Sequence, residues 1–217
     1  DALKLAEKYD AIERVRLGSL EPDHITDDMI DELGKLSKLC PQFHISVQSG
    51  CNGVLKAMNR HYTAEDYINL CHKLRSTFSD ATITTDILVG FPSESDDDFK
   101  TTVEFAKKVS FEKVHVFPYS VREGTKAANM EQLTKHIKES RAAELSTITE
   151  EIRREYLKQQ IGKTVEVLFE VSKDGYTEGY TKNYTPVRVF TQENYQGEIK
   201  QVAIKNAVND YCEGEII

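Results

Sequence analysis

The stretch 82–99, TITTDILVGFPSESDDDF, decides the fold. It reads as a buried strand that ends in a glycine turn and opens directly into a helix. Side chains alternate across a strand, so Ile83, Ile87 and Val89 share one face while Thr82, Thr84 and Asp86 share the other. Aliphatic residues suit a face covered by helices. An ionisable Asp86 on the opposite face is costly to bury unless it is paired or lies at a wet site. Gly90 lets the backbone turn tightly or approach a ligand. Ser95 and Asp98 have the spacing of a capping box, and Asp96 and Asp97 suit the positive end of a helix. Taken alone, the stretch could still be an ordinary strand-to-helix loop.

The same pattern repeats on either side. Residues 12–18, IERVRLG, read as a strand with Val15 and Leu17 opposite Arg14 and Arg16, followed by a loop, SLEPD. Thr26 caps a helix to about Leu39 whose apolar stripe is Met29, Ile30, Leu33 and Leu36. Residues 43–48, FHISVQ, alternate Phe43, Ile45 and Val47 with His44, Ser46 and Gln48. A short helix spans 54–58, and Thr63 opens another that turns Tyr67, Leu70, Cys71 and Leu74 inward. After the central stretch and its helix, residues 113–119, KVHVFPY, form a fourth strand. Strand–helix alternation calls for a parallel sheet with right-handed crossovers. Each strand has one aliphatic and one polar face, which fits a β/α barrel better than a doubly wound sheet. Only about half the strands of a closed barrel are here, so the other half is expected upstream. Arg16, Gln48, Asp86 and Phe117 should then share one concavity.

SVREGTKAAN follows as a loop, and a long charged helix runs from about Glu131 to Gln160 with Leu145, Ile148, Ile152 and Tyr156 at helical spacing. From Ile161 short strands and glycine turns predict a small all-β barrel of the OB or a similar type. The expected division is residues 1–130, part of a β/α barrel; 131–160, a connecting helix; and 161–217, the small barrel.

Composition narrows the class. The 217 residues carry 28 Lys and Arg against 36 Asp and Glu, a formal net charge of −8, which argues against a generally basic nucleic-acid binder. No apolar run approaches the ~20 residues of a membrane span, and no leader is visible. The chain opens inside an apparent helix, DALKLAEKYD, as an excised piece would. Cys40, Cys51, Cys71 and Cys212 form no CxxC cluster, so reduced thiols and a cytoplasmic location are expected, with no metal site built from this chain alone.

Several residues carry candidate chemistry. Glu21, beside Ser19, could hold ribose hydroxyls at a strand end, or be a solvated loop acid. Gln48 and Ser49 end a strand, where barrel chemistry resides. Arg60 could clamp a carboxylate or phosphate, or simply face solvent. His44 and His115 are better read as satisfied interior histidines, and Cys51 as a small buried residue. In the last domain, tyrosines interleave with Lys182 and Arg188, as in barrels that stack bases. Six Lys and Arg against nine Asp and Glu after residue 160 weaken that reading unless the cations cluster.

In their order, RLGSLEP, HISVQSGCNGVLKAMNRHYT, TDILVGFPSESDDDF and VFPYSVREGTKAA resemble the radical S-adenosylmethionine methylthiotransferases. GYTEGYTKNYTPVRV resembles the TRAM domain that ends those enzymes. HVFPYSVREGT and GSLEP are most similar to the MtaB-like branch, which modifies threonylcarbamoyladenosine beside the tRNA anticodon. The isopentenyladenosine branch is the nearer competitor, and Arg122 stands where the branch acting on a ribosomal protein tends to carry an acid. The resemblance implies S-adenosylmethionine and two four-iron four-sulfur clusters in the parent enzyme, with cluster ligands absent from this chain, and tRNA as partner; it names no sulfur donor.

It further implies that Ser19, Glu21, Gln48, Ser49, Arg60, Asp86, Gly90, Phe91, Pro92, Phe117 and Tyr119 lie around the cofactor. Tyr180, Lys182, Asn183, Tyr184 and Arg188 would serve RNA. The family's GFPGET stands here as GFPSES, with Ser93 for glycine and Ser95 for threonine. Without the upstream domains the chain is expected to be inactive. Rival readings are a non-catalytic RNA-binding module on a degenerate barrel and an unrelated phosphate-binding barrel, although PYSVREGT offers only one glycine for a phosphate nest.

Overall fold

The computed structural model describes residues 2–217. Strands β1 (Ser19–Leu20), β2 (Gln42–Ile45), β3 (Thr82–Val89) and β4 (Lys113–Pro118) form one parallel sheet in the order β1-β2-β3-β4. Helices α1 (Ala2–Ala6), α2 (Asp27–Leu33), α3 (Asn52–Ala57), α4 (Ala64–Thr77) and α5 (Asp96–Val109) precede and connect them. Strands that follow one another in sequence are neighbours in space, as in an arc of a β/α barrel. Ile83, Ile87 and Val89 are fully buried in a core with Ile45, Val47, Tyr67 and Phe105. Burying a side chain of this kind is worth about 1.5–3 kcal/mol, so the aliphatic face holds the helices in place. Thr63 with Asp66 and Ser95 with Asp98 form complete capping boxes on α4 and α5.

Some boundaries differ from the sequence reading. Residues 12–18 make only one bridge, Val15 to Leu39, and the sheet pairing falls on Ser19–Leu20, within the stretch read as a loop. The side chains of Arg14 and Arg16 explain what the segment does instead. Arg14 donates to the carbonyls of Tyr180 (3.1 Å) and Glu166 (3.3 Å) and to Glu166 Oε1 (2.8 Å), and Arg16 stacks on Tyr184 (4.2 Å). Helix α2 stops before Gly34, not at Leu39; a Cβ there would lie 2.8 Å from Thr77 Cγ2. Strand β2 ends at Ile45, where Thr85 Oγ1 interrupts the ladder by accepting from the Val47 amide and donating to the Ile45 carbonyl; Gln48, at a left-handed φ of 68°, then rejoins β3 through a bridge to Ile87.

Ser93 also sits in the left-handed region, with φ of 78°. A residue with a Cβ pays about 1–2 kcal/mol there. Ser93→Gly should therefore raise the stability by about 1 kcal/mol, read as an upward shift of the urea midpoint.

Helix α6 (Lys135–Lys158) spans 24 residues and starts at the Thr134 cap. Its buried stripe is Arg141, Leu145, Thr149, Arg153 and Leu157. Arg141 pairs with the buried Glu94 (2.6 Å) and with Asp96 (2.6 Å). Arg153 pairs with the buried Glu112 and donates to the Asp210 carbonyl (2.9 Å). Of the sequence-predicted apolar positions, Leu145 is fully buried, while Ile148 and Tyr156 pack at the margins of separate cores.

Strands β5 (Thr164–Lys173), β6 (Tyr176–Thr181), β7 (Pro186–Phe190), β8 (Ile199–Val208) and β9 (Tyr211–Ile216) close a barrel in the order β5-β6-β7-β9-β8. Only β7 and β9 pair in parallel. In strand β9, YCEGEI, a glycine and two glutamates mask the alternation of a strand. The barrel core of Val167, Phe169, Val187, Val202 and Ile204 is joined by Leu157 from α6.

All four cysteines are free and buried. Burial pushes the Cys71 thiol up to about 12 and the Cys212 thiol to about 11, and raises the Tyr62 phenol to about 12. In the unfolded chain these thiols ionise near 9, so above that pH the unfolded state binds fewer protons than the folded one. Stability is therefore complete below pH 9 and falls as pH rises beyond it. Urea midpoints between pH 7 and 10.5 should decline along that sign, and a thiol reagent at pH 8 should label the native chain far more slowly than the unfolded one. No helix among the described residues is long and apolar enough to cross a membrane.

Candidate functional site

The polar ends of the strands converge on a cavity of about 820 Å³. Gln48, Asp86, Phe91, Phe117, Tyr119 and Arg60 line it. Its far wall comes from the 120–127 loop, including Arg122 and Lys126. Arg60 donates to Glu21 Oε2 at 3.0 Å, which brings Glu21 to the rim. Phe91 and Tyr119 meet edge to face at 5.3 Å, and Lys138 lies 4.9 Å over the Tyr119 ring.

Two polar atoms here lack a protein partner. Tyr119 Oη is buried without a hydrogen bond. Asp86 Oδ2 accepts from Ser46 Oγ (2.8 Å) and from His44 Nε2 (3.2 Å), while no hydrogen bond is made by Oδ1 among the described residues. A cavity that offers the unpaired Asp86 Oδ1 beside the rings of Phe91, Phe117 and Tyr119 is suited to a ligand with both a donor and an apolar face.

Other sequence-predicted residues lie elsewhere. Ser49 is fully buried, within 3.3 Å of Thr102 Oγ1, and accepts from the Cys51 amide (3.2 Å); it anchors α3 and α5. Gly90, at φ 72°, donates its amide to Glu94 (2.8 Å), and a Cβ on it would meet Lys138 Cγ at 2.6 Å. Gly90 and Pro92 thus shape the turn behind Phe91 and do not line the cavity. Ser19 belongs to β1 and is absent from the lining. Met58, Leu88 and Thr125 line it without having been singled out from sequence.

Arg16 does not join Gln48, Asp86 and Phe117. It lines a second cavity of about 550 Å³ at the opposite ends of the strands, between the sheet and the C-terminal barrel. His44, His115, Tyr180, Tyr184 and Arg188 line it too. Burial, followed by the Lys113 charge, pulls the His115 imidazole below its ordinary value. Tyr180 and Tyr184 stack at 4.1 Å with planes 7° apart, and Arg16 covers the Tyr184 ring at 4.2 Å. Arg188 lies between Tyr176 (4.4 Å) and Tyr211 (4.3 Å) and pairs with Glu178 at 2.8 Å.

Asn183 and Lys182 face the sheet domain. Asn183 Nδ2 donates to the Asp80 carbonyl (2.9 Å), its own carbonyl accepts from Thr82 Oγ1 (2.6 Å), and Lys182 Nζ donates to the Ser37 carbonyl. Their hydrogen-bonding groups are engaged in joining the two domains, so both are placed to latch the barrel rather than to project outward.

The geometry can be set beside known proteins. Residues 1–106 match the family model described as the Radical SAM superfamily. The radical SAM match covers β1 to β3 and most of α5. Over 99% of its length the chain is 38% identical to a tRNA-2-methylthio-N(6)-dimethylallyladenosine synthase of Caldicellulosiruptor saccharolyticus, covering 47% of that protein. A synthase of the same name from Mycobacteroides abscessus is 40% identical over 82% of the chain and 36% of its own length. The chain thus spans less than half the length of these relatives.

Among solved structures, coproporphyrinogen III oxidase of Escherichia coli, described as a radical SAM enzyme, superposes with a TM-score of 0.58 at 16% identity, over 72% of this chain and 37% of that one. The archaeal Elp3 of Methanocaldococcus infernus gives 0.51 at 21% identity, over 69% and 35%. Both likenesses concern the fold.

Proposed function

We propose that the chain is the C-terminal part of a tRNA methylthiotransferase, whose sheet supplies part of an S-adenosylmethionine pocket and whose small barrel is a TRAM-type RNA-facing domain. The reading is carried by 38% identity along 99% of the chain to a named tRNA methylthio synthase. The relatives' names favour N6-dimethylallyladenosine, that is isopentenyladenosine, as the nucleoside modified at C2. That moves the substrate away from the threonylcarbamoyladenosine suggested by HVFPYSVREGT and GSLEP.

The residues fit S-adenosylmethionine: an aromatic wall of Phe91, Phe117 and Tyr119 and an unpaired acceptor at Asp86 Oδ1. When bound with its cluster, the cofactor supplies the one-electron chemistry that activates an unreactive C–H bond. Arg60 and Glu21 would hold its polar end, and the aromatics would exclude water from its sugar and base. The iron–sulfur clusters do not fit this chain. Its four cysteines are dispersed and buried, and no group of three metal-binding side chains occurs among the described residues. Those ligands must come from other parts of the parent protein, which would work in the cytoplasm where tRNA is found.

RNA would meet the Tyr176–Arg188–Tyr211 layer and the Tyr180–Tyr184 stack, since aromatic and cationic faces of this kind stack bases. Mass spectrometry of tRNA nucleosides from a strain lacking the gene tests the whole. Loss of the 2-methylthio derivative of dimethylallyladenosine supports the reading. Loss of the threonylcarbamoyl derivative alone returns the substrate to the other branch, and unchanged nucleosides overturn the enzyme reading.

A further inference from the structure

The polar face of the sheet carries an unbroken line of hydrogen bonds from one cavity to the other. Arg16 Nη1 donates to Gln42 Oε1 at 3.2 Å, and Gln42 Nε2 donates to Thr84 Oγ1 at 3.2 Å. Thr84 Oγ1 lies 2.9 Å from His44 Nδ1, and His44 Nε2 lies 3.2 Å from Asp86 Oδ2. Gln42 and Thr84, in the middle of this line, are buried.

Its ends give it a direction. A guanidinium has no acceptor, so Gln42 must turn its oxygen toward Arg16 and its amide N–H toward Thr84. Thr84 Oγ1 accepts that bond and keeps its O–H to donate, while the ionised Asp86 carboxylate, which can only accept, requires the proton on His44 Nε2. Nδ1 then acts as acceptor, and in the neutral ring the proton lies on Nε2, pointing at Asp86. The carboxylate closes the line, because ionised it can only accept. Ser46 fixes the same oxygen, Oδ2, which leaves Oδ1 to face the larger cavity.

We infer that His44 is a positioning residue for Asp86: it holds the carboxylate so that Oδ1 is a fixed acceptor for a hydroxyl or amino group of the bound ligand, and its ring is held between the Asp86 acceptor at Nε2 and the Thr84 donor at Nδ1. This rests on the larger cavity being the cofactor pocket proposed above, but the tautomer is measurable without any ligand. Asp86 touches the ligand, whereas His44, Thr84 and Gln42 act through it. The line also ties the carboxylate to the far side of the sheet, where Arg16 lies on Tyr184 of the barrel.

Nitrogen-15 shifts of the His44 ring in the 217-residue chain at pH 8 test the inference. The expected result is one tautomer protonated at Nε2. Thr84→Val keeps the shape but removes the donor, so the Nδ1 resonance should move to that of an acceptor nitrogen without a hydrogen bond; Thr84→Ser should restore it. S-adenosylmethionine, titrated by calorimetry, should bind about five- to tenfold more weakly to Thr84→Val and normally to Thr84→Ser. A ring protonated at Nδ1 in the native chain, or a Thr84→Val chain with unchanged Nδ1 shift and affinity, overturns the assignment. If the native chain binds no S-adenosylmethionine, the cofactor reading of the cavity fails, and the native tautomer with the Nδ1 response to Thr84→Val still decides the donor line.

Discussion

Arg153→Leu should cost about 3–5 kcal/mol of unfolding free energy at pH 7, because it leaves Glu112 buried without its partner. Glu112 is 6% exposed, and the Arg153 guanidinium meets both its carboxylate and its backbone carbonyl. The same arginine reaches the Asp210 carbonyl in the β8–β9 turn, so the substitution removes a contact between the sheet, α6 and the barrel. Burial already lifts the Glu112 carboxyl above its ordinary value despite the arginine. Without the arginine it rises further, and the folded variant takes up a proton that the unfolded one releases. The deficit should thus shrink as pH falls toward the carboxylate range, which urea titrations at pH 5 and 7 would reveal. Replacing both members by leucine should be milder than losing the arginine alone, since an apolar pair leaves no stranded charge. A double variant less stable than Arg153→Leu would show that the ion pair itself, rather than the desolvated orphan, carries the effect.

Gly179→Ala should cost about 3 kcal/mol, localised to the barrel. A Cβ at this position would stand 1.9 Å from the Leu168 carbonyl oxygen and 2.6 Å from Phe169 Cα, both backbone atoms that no side-chain rotation can move aside. Strand β5 carries its irregularity next to this point, between Phe169 and Val171. Over-packing of a tight site costs about 1–3 kcal/mol, and a backbone clash lies at the upper end. Hydrogen exchange should accelerate at the amides of β5 and β6 and stay nearly unchanged in β3. Uniform acceleration across both domains, or a variant as stable as the native chain, would contradict the local origin.

The sheet was legible because its signal is periodic. Ile83, Ile87 and Val89 alternate with Asp86, and Thr63, Asp66, Ser95 and Asp98 announce their helices at the right spacing. What escaped was interaction between distant segments. Arg141 and Arg153 look like surface charges on a helix wheel, and only Glu94 and Glu112, 47 and 41 residues away, make them interior. Asn183 and Lys182 look like an exposed hairpin turn, yet their partners at Asp80 and Ser37 lie more than a hundred residues earlier. Of the candidate site, Gln48, Arg60, Asp86, Phe91, Phe117 and Tyr119 were brought together on one cavity. Ser49, Gly90 and Pro92 flank those residues in sequence, but a strand end turns alternate groups toward opposite sides. Family spacing marks the neighbourhood of a pocket and leaves open which neighbour enters it.

Helix α6 has a mechanical consequence. It is clamped to the sheet near its first turns by Arg141 and again near its end by Arg153, and Leu157 then enters the barrel core. A rod fastened at both ends cannot hinge between its fastenings. The small barrel is therefore a fixed abutment for the open sheet, and an RNA gripped by it would be held at a set distance from Asp86 instead of swinging on a tether.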